Sequence, residues 1–167
     1  MRIVALVLAG SAIAASAQAQ PVRLWRVETP KDAPAVLAYA QPANPEDLGL
    51  SFSCPRGSGQ ITVRTLATRR LADHLNGTIW IDGAGLPAPW PVSVTFTAGE
   101  AATTLRGLAN AEEKSGGSVV ATEISTAAPV IKAFRKTGTL KVEALGETLE
   151  PLPATRGMVR QFLGACK

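Results

Sequence analysis

The residues of this 167-residue chain whose types could do chemistry are two cysteines, one histidine and a short basic run. The cysteines, Cys54 and Cys166, stand far apart with no CxxC spacing, which disfavours a local metal knuckle and leaves oxidation to one cross-link as their natural chemistry. His74 is the sole histidine, and as a general base it would need a carboxylate brought to it by the fold. Arg64, Arg69 and Arg70 precede it and are candidate contacts for an anion or an acidic glycan, because guanidinium pairs bidentately with carboxylate and phosphate. Trp90, inside Pro87-Ala88-Pro89-Trp90-Pro91, is a candidate partner contact if it stands at an exposed edge.

Both cysteines fall on apolar faces. Leu48, Leu50, Phe52 and Cys54 alternate with Gly49, Ser51 and Ser53, the period of a half-buried strand. Met158, Val159, Phe162, Leu163 and Cys166 form one stripe of a terminal helix. A disulfide between them would fasten the last helix to an early strand.

The compartment expected from the N-terminus favours that bond. Arg2, an apolar run from Ile3 to Ala15 and the small-x-small triplet Ala17-Gln18-Ala19 fit a secretory signal peptide over residues 1–19, with the mature chain starting at Gln20. That run is too short to span a bilayer, and no later segment is long enough, so no transmembrane segment is expected in the mature chain. A periplasmic or secreted location follows, where disulfides persist. The formal charge of +4 is mild, and with 5% aromatic residues it gives no reason to expect a nucleic-acid partner. An envelope protein or anionic glycan suits the compartment better; oligomeric state is not readable.

Residues 20–167 read as a single disulfide-closed, β-rich domain. Strands are expected over Leu24–Glu28, Ala35–Ala40, Leu48–Cys54 and Gln60–Leu66, the last two joined as a hairpin by Pro55-Arg56-Gly57-Ser58-Gly59. Asn76-Gly77 signals a type I′ turn leading into Thr78–Asp82. Gly83 to Pro91, with three prolines and two glycines, reads as a loop. Val92, Val94 and Phe96 alternate, and Ala102–Leu108 and Ser118–Ile124 are weaker strands. Pro129 opens a short helix near 129–137, with Val130, Ile131 and Phe134 on one face and Gly138 as its C-terminal cap. Leu140, Val142 and Ala144 mark another strand, with Leu149–Leu152 as its partner across Gly146. Thr155 is placed to cap a C-terminal helix over 155–166. The fold class is mainly β: an antiparallel β-sandwich or open barrel with the terminal helix packed on it.

Several familiar chemistries lack their residues. No HExxH or acidic calcium loop is present, so neither metal nor cofactor is expected. Gly57-Ser58-Gly59 lacks the spacing of a nucleophile elbow. Gly83-Ala84-Gly85 runs into Leu86-Pro87, where a phosphate-binding loop would open a helix. No catalytic residues are assigned.

The order of elements resembles small exported bacterial proteins of the type VI secretion-associated VasI kind and, more loosely, the invasion-associated locus B family. The resemblance rests on Leu50–Cys54, Thr78-Ile79-Trp80-Ile81-Asp82 and Gly157–Cys166, spanning roughly Leu48 to Cys166. Before the last helix, Leu149-Glu150-Pro151-Leu152-Pro153 departs from the family's Phe-Asp-Leu run into glycine. What the resemblance implies is a non-enzymatic envelope accessory protein. The expected function is therefore an exported accessory or binding protein; the alternative is a small periplasmic hydrolase using His74.

Overall fold

The computed structural model describes residues 22–44 and 47–167, so the expected signal peptide lies outside the described residues. In chain order the elements are β1 (Leu24–Glu28), β2 (Ala35–Ala40), β3 (Leu48–Cys54), β4 (Gln60–Ala67), β5 (Ala72–Asn76), β6 (Ile79–Asp82), β7 (Trp90–Ala98), β8 (Ala101–Ala111), β9 (Ser118–Ser125), α1 (Pro129–Thr137), β10 (Lys141–Ala144), β11 (Glu147–Leu149) and α2 (Arg156–Ala165). Nine strands form one antiparallel sheet in the order β1-β2-β3-β4-β9-β8-β7-β10-β11, curled into a half-barrel. Of the two expected architectures, the open barrel is the one adopted. Twisted antiparallel strands curl naturally as a sheet widens, and two helices cover the face that a second sheet would cover in a sandwich.

Helix α1 packs on β7 and β8, α2 packs on β1 and β2, and the helices touch each other. Their amphipathic stripes explain this: Val130, Ile131 and Phe134 are buried on α1, and Val159, Phe162 and Leu163 on α2. Under them lie Phe52 and Trp25, with ring centroids 5.8 Å (Phe52–Phe134), 6.4 Å (Phe52–Phe162) and 5.9 Å (Trp25–Phe134) apart. Cys54 and Cys166 are both fully buried and joined, with Cα atoms 5.6 Å apart and a sequence separation of 112. Beside the disulfide, the Gly59 N–H donates to the Cys166 carbonyl at 2.8 Å, so the β3–β4 turn also holds the end of α2. Thr155 caps α2 as expected, its hydroxyl accepting from the Met158 N–H.

Three differences from the sequence reading have a clear local cause. The hairpin turn between β5 and β6 has Gly77 and Thr78 at its centre, since Asn76 pairs with Ile79. Only Gly77 needs positive φ there (+63°), the pattern of a type II′ rather than a type I′ turn. Both-positive geometry appears instead at Leu145 (+55°) and Gly146 (+81°), between β10 and β11. The 83–91 loop ends at Pro89, because Trp90 and Pro91 already belong to β7. Pro91 is tolerated because β10 pairs with β7 only along Val94–Thr97, leaving Pro91 a single partner strand. Finally, β11 occupies 147–149 rather than 149–152: Val142 pairs with Leu149, and Pro151 and Pro153 have no N–H to extend the ladder.

Gly138 is the tightest point of the helical layer. Its φ of +76° ends α1, its N–H donates to the Phe134 carbonyl, and its carbonyl accepts from the Ala154 N–H. An added Cβ would lie 2.2 Å from the Ala154 oxygen, where backbone meets backbone. Gly77 shares the positive φ but has nothing within 4 Å of its missing Cβ. Gly138→Ala is therefore expected to cost about 2–4 kcal/mol and Gly77→Ala about 1–2 kcal/mol. Urea denaturation of the two variants checks this; equal losses would show that the Ala154 crossing does not constrain the fold.

Candidate functional site

The basic run assembles less simply than its spacing suggests, because three backbone environments receive its arginines. Arg64 sits on the outward face of β4, exposed, between Ser51 and Ala121 on the neighbouring strands. Arg69 lies in the connection that follows β4 and reaches across to the β10–β11 turn, where its guanidinium donates to the Leu145 carbonyl at 3.3 Å. Arg70 donates from Nε to the Ala72 carbonyl at 2.8 Å and lays its guanidinium over Trp80, 5.3 Å from the ring centroid. Two of the three therefore hold structural partners of their own.

Glu147 fastens this corner. Its carboxylate accepts from the Thr68 N–H (2.9 Å), the Thr68 hydroxyl (2.7 Å) and the Arg69 N–H (2.6 Å). Partial burial alone would push the Glu147 carboxyl up, but these hydrogen bonds and the Arg69 charge outweigh it and hold its pKa below the usual carboxylate value. The residue before it in the turn but one, Leu145, is the sole non-glycine with positive φ among the described residues. The Arg69 and Glu147 contacts hold that turn against the end of β4.

Beyond Arg70 the β5–β6 hairpin leans over the β8–β9 turn, leaving a groove of about 350 Å³. Leu75 and Trp80, directly paired across the hairpin, form its apolar wall, while Glu112, Glu113 and the Gly116–Gly117 backbone form the other side. The Trp80 indole N–H donates to Glu113 Oε1 at 3.4 Å. Arg70 thus enters a groove whose opposite side carries carboxylates, so the groove has mixed charge and suits a polar or amphipathic surface of another molecule better than a free anion. Trp80, Glu113 and Glu147 were missed as site residues by the sequence reading. Trp80 could have been found from the hairpin register, since Leu75 and Trp80 fall opposite each other on either side of the Gly77 turn.

Trp90 is buried, 4% exposed, and its indole donates to the Leu86 carbonyl at 3.0 Å. It packs beneath the 83–89 loop and presents no docking edge. His74 lies on β5 with its ring 59% exposed and its Nδ1 3.1 Å from the carboxylate of the adjacent Asp73. Neither the groove nor a smaller cavity by the helices is lined by it. Among the described residues no three His, Cys, Asp or Glu side chains gather to hold a metal ion, and no helix is long and apolar enough to cross a membrane.

The fold and site thus define a curled antiparallel sheet, closed by two helices and carrying a side hairpin over a mixed-charge groove. No protein-family model, no curated protein and no solved structure matches the chain.

The Glu147 clamp generates a pH signature. Its folded pKa lies below the unfolded value, so its contribution is complete above the ordinary carboxylate range and is lost as pH falls through the folded value. Glu147→Gln is expected to lower stability by about 1 kcal/mol at neutral pH, discounted for partial exposure, and by progressively less as pH falls below the ordinary carboxylate range. Denaturation series at neutral and acid pH measure this; a loss independent of pH would assign the effect to packing instead of charge.

Proposed function

We propose that this protein is an exported, non-enzymatic accessory or binding module of the bacterial envelope, working in the periplasm or outside the cell. Its contact with an envelope protein is made through the β5–β6 hairpin and the Arg70–Trp80 groove. The observation that carries this reading is the hairpin itself. It is a separate two-stranded sheet, and Leu75, Ile79 and, in the following loop, Leu86 are 50%, 51% and 58% exposed. A two-stranded sheet is marginal alone, and this one leaves aliphatic side chains exposed on both faces, Leu75 beside Trp80 on the groove side and Ile79 on the other, which a protein partner would cover.

The buried disulfide suits an oxidising compartment, and the likeness in layout to VasI-type proteins supports an accessory role. A hydrolase using His74 has less to rest on: among the described residues the carboxylate beside it is that of its sequence neighbour Asp73, and the ring faces solvent. The proposed groove also does not need the three arginines to act together, which their separate settings disfavour.

A photo-crosslinking residue placed at Leu75, which lines the groove beside Trp80, in the chain expressed in its own envelope, is expected to give one discrete protein adduct, weakened by Trp80→Ala. The same probe at Thr104, on the exposed outer face of β8, is expected to give none. Equal labelling from both positions, or a hydrolytic activity abolished by His74→Ala, would replace the proposal.

A further inference from the structure

The helical layer has a charge pattern unlike the rest of the molecule. Residues 126–140 and 151–167 contain Lys132, Arg135, Lys136, Arg156, Arg160 and Lys167, while all 13 acidic residues of the chain lie elsewhere. All six are exposed, and among the described residues none of their side chains makes a hydrogen bond or ion pair. Most other basic side chains are engaged: Arg23 with Asp47, Lys141 with Glu143, Arg56 with the Thr29 and Pro30 carbonyls, Arg69 and Arg70 as described.

Fold stability gives little reason for this placement. Arg156 opens α2, whose first turn holds no acid, and a cation at that end opposes the helix dipole. Arg156 and Arg160, and likewise Lys132 and Lys136, are like charges four residues apart on one helix face, a spacing that repels. Only Arg135 and Lys136, in the last turn of α1, complement a helix end. Where Lys132, Arg135 and Lys167 converge, a cavity of about 170 Å³ opens between the start of α1 and the end of α2, lined also by Thr126, Ala127 and Leu163. Its size suits one acidic group of a larger ligand.

We propose that this helical face binds an acidic polysaccharide, with one acidic group in the Lys132–Arg135–Lys167 cavity and others along the α1–α2 surface. The site is distinct from the hairpin groove and goes beyond the function proposed above. Its partner class follows from what the face lacks. Neither helix carries an exposed large apolar side chain, because both apolar stripes face the core, and the single one in these two segments is Leu152, before α2. A bilayer-adsorbing helix needs such side chains to enter the interface, and protein interfaces centre on aromatic or aliphatic anchors. The helices' aromatic rings, Phe134 and Phe162, are buried, so none is available to stack on nucleic-acid bases. A hydrophilic polyanion needs only the cations.

The probe is alginate, a polyuronate, against the purified exported chain in low salt (about 20 mM) and at about 200 mM, where screening shortens the reach of each charge. Arg156→Gln/Arg160→Gln and Lys132→Gln/Arg135→Gln are each expected to weaken binding about tenfold in low salt. Arg64→Gln/Arg106→Gln, which removes equal charge from the outer sheet face, is expected to leave it unchanged. The Arg156→Gln/Arg160→Gln variant is expected to melt no lower than the wild type, since its charges oppose the fold. Four results would overturn the proposal: no alginate binding, an equal loss in the control variant, a lower melting temperature for Arg156→Gln/Arg160→Gln, or binding at least as tight to phosphatidylglycerol vesicles, a DNA duplex or polyglutamate.

Discussion

A curled sheet with two free edges leaves its concave side open to water, and α1 and α2 are what cover it. The cover must stay in place without the ladder of hydrogen bonds that fixes a strand. α1 is tied at both ends, entering from β9 and leaving into β10. α2 is followed by no strand of the sheet among the described residues, and the Cys54–Cys166 bond is what joins its end to the end of β3. The Phe52–Phe162 contact requires that α2 is held there, beside the Phe52–Phe134 contact that α1 makes with the same strand. Trp25 makes a second link from the β1 edge, its indole donating to the Leu152 carbonyl just before α2.

Much of this was legible in the sequence, because period and punctuation report local geometry faithfully. β1, β2 and β3 fall where alternation placed them, and Pro129 and Gly138 bracket α1 because one presets a helical φ and the other permits the left-handed cap. Cys54 and Cys166 were readable as inward-facing for the same reason. The Gly77 turn was found but misregistered by one residue, since Asn-Gly is compatible with more than one turn type. The choice of an open barrel over a sandwich was not legible: it depends on β9 pairing with β4 over β8, β7 and the intervening hairpin, a long-range choice that no local pattern encodes.

The site was harder to read for a related reason. A linear run such as Arg64, Arg69 and Arg70 suggests a patch, yet a strand alternates its side chains and a turn redirects them, so neighbours in sequence reach different partners. The opposite happens in the helical layer. Lys132, Arg135 and Lys167, far apart in sequence, line one cavity because the two helices pack side by side, and the signal was available as a deficit of acids in two segments. Held charge thus lies near the hairpin, where Glu147 and Trp80 engage the arginines, and free charge lies on the helices. Both surfaces depend on the helical cover and the strand ends being fixed relative to one another.

The claim that the disulfide holds α2 over the sheet is tested most directly by amide hydrogen exchange on the oxidised and the reduced protein. On reduction the account predicts that amides of 156–165, together with Gly59, whose N–H bonds to the Cys166 carbonyl, lose protection by several orders of magnitude. The amides of β4, β9 and β8 at the centre of the sheet keep most of theirs. Unchanged protection of α2 in the reduced protein would contradict it, and would show that the packing of Val159, Phe162 and Leu163 is enough to keep the half-barrel covered.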